Sequence, residues 1–232
     1  MKNWETYWSA KKPGFDYIMR NTTPVFYEKY LKKTDIKPHH VFLDFGCGPG
    51  FLIEKLPAEN RIIGTDISKD YIEFCEEKFR SSKNVFFECI TEKNSFRTIL
   101  SKEKPDVIMA ISVIQYFENN LVLKKYIDEV MNYSKENKKN IQFIIADIIP
   151  QKNSKLIDAF EVFLHSIRKG YFLDFFRFCR EVLHSDYNSK QLKVNKTNPE
   201  FFELYAKEHQ LKLEFLKNVT VNKNRYSLVF TF

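Results

Sequence analysis

Apolar residues along the chain fall into short runs, separated by longer stretches in which they recur every three or four positions. The runs at 41–44, 61–66, 85–89, 106–112 and 141–149 read as strands. The third is so short that its period alone does not separate a strand from a buried helix. Between them, 51–56 begins a helix that Pro57 ends, Ser68 caps a helix over 71–79, and 121–133 forms another. Such alternation predicts βα units on a mainly parallel sheet, and so an α/β fold.

From about 153 to 183 the pattern becomes helical, with Leu156, Ile157, Phe160, Phe163, Leu164 and Ile167 at spacings near three and four. Gly170 divides this stretch into two helices. A helix over 199–210 follows, then strands over 211–216 and 226–232 joined by a turn around 222–224. The amino-terminal residues 4–30 read as an amphipathic covering helix or a lid. There is no internal repeat and no linker. One domain is expected over 1–232, with a helical lid at 1–35 and a helical cap at 150–198 inserted after the fifth strand.

Composition changes little in this picture. Of 232 residues, 44% are hydrophobic and 29% charged, which suits a folded chain and not a disordered one. The net charge of +7 is carried by lysines scattered along the sequence, so it favours an anionic small-molecule substrate and disfavours nucleic acid as the partner. Cys47, Cys75, Cys89 and Cys179 form neither a C-x-x-C pair nor a zinc spacing, so no metal is expected and a reducing, cytoplasmic setting fits. No signal-peptide run opens the chain. The aromatic stretch 171–183 is interrupted by Asp174, Arg177, Arg180 and Glu181, which excludes a membrane span there.

Candidate chemistry begins at Asp44-Phe45-Gly46-Cys47-Gly48-Pro49-Gly50, where a strand ends. Glycines at alternate positions allow a sharp turn and close approach of a ligand to the backbone, and a following helix amino terminus would offer free amides. Twenty residues after Gly46 comes Asp66, at the end of the second strand, where a carboxylate can accept from both hydroxyls of a ribose. A nicotinamide site would need G-x-G-x-x-G, but Phe51 stands where its third glycine belongs. The Asp-Phe-Gly triplet occurs without the other protein-kinase loops. For Asp44 a helix-capping role competes with a ligand role.

These segments, together with Gly64-Thr65-Asp66-Ile67-Ser68 and the stretch 106–117, resemble the class I SAM-dependent methyltransferases over roughly residues 40–150. The resemblance implies a Rossmann-like, doubly wound, mainly parallel seven-stranded sheet and S-adenosyl-L-methionine (SAM) as cofactor. It implies Gly46, Cys47 and Gly48 against the methionine part of SAM, Asp44 toward its amino group, Asp66 on the ribose and Ile67 beside the adenine. Ala110, Ile111 and Ser112 would line the cofactor from the fourth strand. The acid that many relatives place after the third strand has no clear counterpart in 88–92, and Ile90 and Thr91 are the adenine neighbours by position. Tyr7-Trp8 with Arg20 resembles a lid in which the arginine pairs with the methionine carboxylate, a surface ion pair or packed aromatic being the other reading.

Methyl transfer from a sulfonium chiefly requires alignment, with a base needed only where the acceptor must lose a proton. Candidates for that role are His165 and His184 in the cap, Asp147 at the end of the fifth strand, and Tyr116, which could orient the acceptor. The fourth strand lacks the N/D-P-P-Y sequence of adenine- and cytosine-amine methylation, and no Pro-Cys nucleophile is present. The segment 112–117 resembles small-molecule methyltransferases instead. The expected acceptor is an oxygen, with a nitrogen as the alternative, of a sugar, nucleotide-linked or phosphorylated metabolite. Alternatives are an RNA methyltransferase using Lys190, Lys193 and Lys196 on phosphate, and a non-catalytic SAM-binding partner subunit.

Overall fold

In the computed structural model the apolar runs become a seven-stranded sheet: β1 (Val41–Phe45), β2 (Arg61–Asp66), β3 (Val85–Cys89), β4 (Val107–Ile111), β5 (Gln142–Ile148), β6 (Lys212–Leu216) and β7 (Tyr226–Thr231). Their order is β3-β2-β1-β4-β5-β7-β6. The first five pair in parallel, and β7 enters antiparallel between β5 and β6. β1 and β4 are buried without alternation because helices cover both faces of the sheet. The ambiguous run at 85–89 is an edge strand, paired from Ile62↔Val85 to Asp66↔Cys89. The structure describes residues 3–34, 36–188 and 192–232; Lys190 lies outside them, as do Met1, Lys2 and Asp35 of the expected lid.

Alternate side chains of the strands feed two cores. Leu43, Ile108, Phe143 and Phe230 pack with α4 (Phe96–Glu103), α5 (Asn120–Asn137) and α8 (Pro199–His209). Phe42, Ile62, Met109 and Ile144 pack on the other face with Phe26 and Leu31. Ser68 caps α3 (Lys69–Lys78), its hydroxyl accepting from the Tyr71 amide at 3.3 Å.

Three elements differ from the sequence reading, the first being the covering helix expected over 4–30, which is two helices, Trp4–Trp8 and Pro13–Lys29. α4 is additional: Ser95 caps it, and Phe96, Ile99 and Leu100 bury one side, but eight residues are too few for a period to stand out. The helix expected over 51–56 is a single tight turn, Ile53–Lys55. Six residues between Gly50 and Pro57 cannot offset the cost of helix nucleation, and burial of Leu52, Ile53 and Leu56 fixes the segment instead.

Above the carboxyl ends of the parallel strands lie α1 (Trp4–Trp8), α2 (Pro13–Lys29) and the hairpin of α6 (Lys155–Lys169) and α7 (Phe172–His184). Gly170 joins the hairpin at a φ of 78°, a left-handed conformation suited to glycine. Trp4, Tyr7 and Phe15 cluster with Phe178, Val182 and Tyr187, so lid and cap close on each other.

At Gly64, in the middle of β2, an added Cβ would lie 2.6 Å from Phe87 Cε1 and 2.8 Å from Ile53 Cδ1. Gly64→Ala is therefore expected to lower stability by about 1–3 kcal/mol through overpacking. Urea denaturation measures this; an unchanged midpoint would mean that the neighbours give way freely.

Candidate functional site

The glycine turn is built from backbone that side chains disfavour. Gly46, Gly48 and Gly50 all have left-handed φ values, of +76°, +49° and +74°. The amides of Gly46 and Cys47 both donate to the Thr65 carbonyl, at 2.7 and 2.9 Å, which ties the turn to the end of β2. The Gly48 amide donates to Asp66 Oδ2 at 2.9 Å, and the Ser68 amide to Asp66 Oδ1 at 2.9 Å. Only the short turn Ile53–Lys55 follows, not an α-helix, so the amides of an α-helix amino terminus are not what shapes this end of the site. Asp66 takes that part, drawing the loop to the next strand.

Asp44 is buried at the end of β1 and its carboxylate has no hydrogen-bond partner among the described residues. It caps no helix, because none begins here. Burial, and then the charge of Asp66, push its pKa up to about 7. A cationic amino group placed beside it would restore the ionised form, and in this respect the site fits the methionine end of SAM. Burial also raises Asp66, against the lowering effect of the Ser68, Gly48 and Ile67 amides. The Cys47 thiol is pushed well above its ordinary range by a hydrogen bond with the Cys75 thiol and by burial.

A cavity of about 1120 Å³ opens over these strand ends. Gly46, Gly48, Asp66, Ile67, Ile90, Thr91 and Ile111 line it, so the structure brings together the residues expected around ribose and adenine. Asp44, Cys47 and Ala110 lie behind this wall. Tyr7 is buried within the lid, its hydroxyl donating to Ser185 Oγ at 3.3 Å. Arg20 is exposed, with its guanidinium 5.8 Å from the Phe51 ring centre. Neither residue is part of the cavity wall. Tyr71, which the sequence reading missed, does line it: its hydroxyl donates to Asp16 at 2.7 Å and accepts from the Lys12 amide at 2.9 Å, fastening α2 to α3. Its only sequence signal was its place three residues after the Ser68 cap.

The other end of the cavity is aromatic, with Trp4, Trp8, Phe15, Tyr116, Phe178 and Tyr187 in its wall. Asp147 is there too, but occupied. Its Oδ2 accepts from Ser112 Oγ at 2.7 Å and from Arg225 Nη1 at 2.6 Å. Arg225 also donates through Nη2 and Nε to Asp158 of α6, at 2.7 and 3.0 Å. Asp147 and Ser112 both hold left-handed φ values, 63° and 57°, conformations that non-glycine residues keep only where the surroundings enforce them. Arg225 carried no motif, and 78 residues separate it from its partner.

Tyr116 lies against Trp4 and Trp8, and burial holds its hydroxyl protonated far above the usual range. His165 sits on α6 off the wall, paired through Nδ1 with the Tyr171 hydroxyl; burial lowers its pKa, as do Lys169, Lys29 and Arg168. His184 is exposed in the last turn of α7. No histidine among the described residues lines the cavity, so the two histidine candidates are placed away from the site they were expected to serve.

Two substitutions check the cofactor end. Since the folded state holds the Asp44 proton more tightly than the unfolded chain does, its stabilising effect is complete below about pH 4 and is lost as pH rises to about 7. Thermal melts of the ligand-free protein should show that decline, and Asp44→Asn should flatten it; an equal slope in the variant would remove Asp44 as its source. Asp66→Ala is expected to cost about 1.5–3 kcal/mol of SAM affinity by calorimetry, and unchanged affinity would refute its role.

Residues 43–137 match the model of a family described as a methyltransferase domain. A comparison with the curated proteins finds no match. Among solved structures, the fold is similar to magnesium protoporphyrin IX methyltransferase of Synechocystis PCC 6803 with bound SAM, at 11% identity and TM-score 0.55, covering 100% of this chain and 97% of that one. A SAM-dependent methyltransferase of Anabaena variabilis is similar at 14% identity and TM-score 0.50, covering 98% and 92%. The CurJ carbon methyltransferase is similar at 14% identity and TM-score 0.51; 87% of this chain is covered, and it spans only 50% of that structure's chain. The methyltransferase-domain match over residues 43–137, on a sheet of this order with Asp66 bracing the glycine turn, agrees with the resemblance to class I SAM-dependent methyltransferases.

Proposed function

We propose that the methyl group goes to an oxygen of a small acceptor that arrives already ionised, as a carboxylate, on a sugar, nucleotide-linked or phosphorylated metabolite. The observation that carries this reading is that the inner wall offers no free base among the described residues. Asp147 is paired with Arg225, Tyr116 is held protonated, and Glu5, Glu92 and Glu118 are solvent-exposed. An exposed carboxylate is too weak a base for an alcohol, whereas a carboxylate acceptor needs none. SAM supplies an electrophilic methyl with a neutral leaving group; the chain supplies alignment and exclusion of water.

The cavity exceeds the usual volume for one small ligand, roughly 300–1,000 Å³, which leaves room for an acceptor beside the cofactor. Trp8 Nε1 and Gln115 Oε1 are buried on its wall without partners, one a donor and one an acceptor. Lys193 and Arg225 are the wall's cations. The RNA reading gains no support: Lys196 donates to the carbonyls of Gln151 and Asn153, which leaves Lys193 isolated among the described residues. No helix among those residues is long and apolar enough to cross a membrane; the four unpaired cysteines suit a reducing compartment such as the cytoplasm.

At saturating SAM, methyl transfer to carboxylate acceptors should give a kcat that is nearly flat from about pH 6 to 8, because the acceptor is ionised throughout. His165→Ala and His184→Ala should keep kcat within about twofold. Transfer only to alcohols, with kcat climbing about tenfold per pH unit, would overturn the proposal.

A further inference from the structure

The α6–α7 hairpin carries on its outer side an apolar surface that the rest of the chain does not cover. On α6, Leu156, Phe160 and Ile167 are exposed, and half-buried Phe163 completes the series 156, 160, 163, 167. On α7, Phe172, Phe176 and Leu183 are exposed, and half-buried Cys179 completes 172, 176, 179, 183. Both helices therefore repeat the steps four, three and four, the spacing with which helices interdigitate with other helices. The inner sides of the same helices are already used, since Val162 and Phe178 line the cavity.

We propose that this face is where a second copy of the chain docks, hairpin against hairpin, about a two-fold axis. Leu156 is 83% exposed, Leu183 77%, Phe160 58% and Phe176 56%. With Ile157, Ile167, Phe172 and Leu173 they expose apolar area on the order of 800 Å², more than the largest patch of an ordinary monomer and close to one partner's share of a stable interface. The charges beside the stripes are of both signs: Lys155, Arg168, Lys169, Arg177 and Arg180 stand with Glu161, Asp174 and Glu181. A two-fold arrangement brings the same mixed rim against itself, where opposite charges can meet. A helix lying on an anionic lipid surface would instead present a strongly basic polar face. Docking also bears on the site: pairing the outer faces would hold the inner ones in place over the cavity.

Sedimentation equilibrium of the full chain between about 1 and 100 μM is expected to give a mass twice 27.8 kDa. The double variant Phe160→Glu/Phe176→Glu should raise the dimer dissociation constant at least about a hundredfold while its circular dichroism is retained. Should that variant fail to fold, Leu156→Lys/Leu183→Lys, at the most exposed positions of each stripe, decides in its place. A monomer at every concentration would overturn the proposal, as would a dimer indifferent to these substitutions. So would a monomer that co-sediments with phosphatidylglycerol vesicles, which would assign the face to lipid.

Discussion

The carboxylate of Asp66 accepts the amides of Gly48 and Ser68, and the shape of the glycine turn rests on that pair of bonds. In a strand–turn–helix unit the helix itself would fix the end of the loop. Here Pro57 arrives too soon for a helix, and only a short turn separates the glycines from β2. The loop is therefore held sideways, by Thr65 through its carbonyl and by Asp66 through its side chain. One carboxylate thus links the β1 loop, the end of β2 and the start of α3, while also lining the cavity. Its charge has a further effect on Asp44, which shares its burial and has no partner to offset it. The ligand-free site is an electrostatically unfavourable arrangement that a cationic ligand group relieves.

A second buried network does for the acceptor end what Asp66 does for the cofactor end. Arg225 stands between Asp147 on β5 and Asp158 on α6, so one guanidinium joins sheet and cap. Removing either carboxylate would leave charge imbalance in a buried place, which is more costly than the pairing itself is worth. The left-handed backbone at Ser112 and Asp147 shows how firmly the two strand ends are held. The Asp147 oxygen that anchors the cap helix through Arg225 is thereby shared with the Ser112 hydroxyl as well.

The sheet was legible in the sequence because its strands are short apolar runs bounded by turn residues, so the runs at 61–66 and 85–89 match β2 and β3 in extent. The ribose-spaced carboxylate was legible because it lies at a fixed distance along one βα unit. What the sequence did not disclose depends on contacts between distant segments. Nothing local marks Arg225 as the partner of Asp147, or Tyr71 as the anchor of α2. His165 and His184 looked suitable by residue type alone, and helix phase places one against Tyr171 and the other in solvent. The short helix α4 failed for the opposite reason: its signal is local but spans barely two turns.

Lid and cap show how one helix pair can serve two surfaces at once. Phe15 meets Phe178 edge to face, with ring centres 5.2 Å apart, and the Trp4 indole donates to the Lys193 carbonyl at 2.9 Å. These contacts use the inner side of α7 and leave Phe172, Phe176 and Leu183 exposed. A 13-residue helix packed on one side only has little intrinsic stability of its own. Its position over the cavity therefore depends on what it touches, and the aromatic seam with the lid covers only part of its circumference. Cover for the outer stripe would stabilise the closed cap without altering any residue that meets substrate, which couples the quality of the active-site wall to a surface that takes no part in the chemistry.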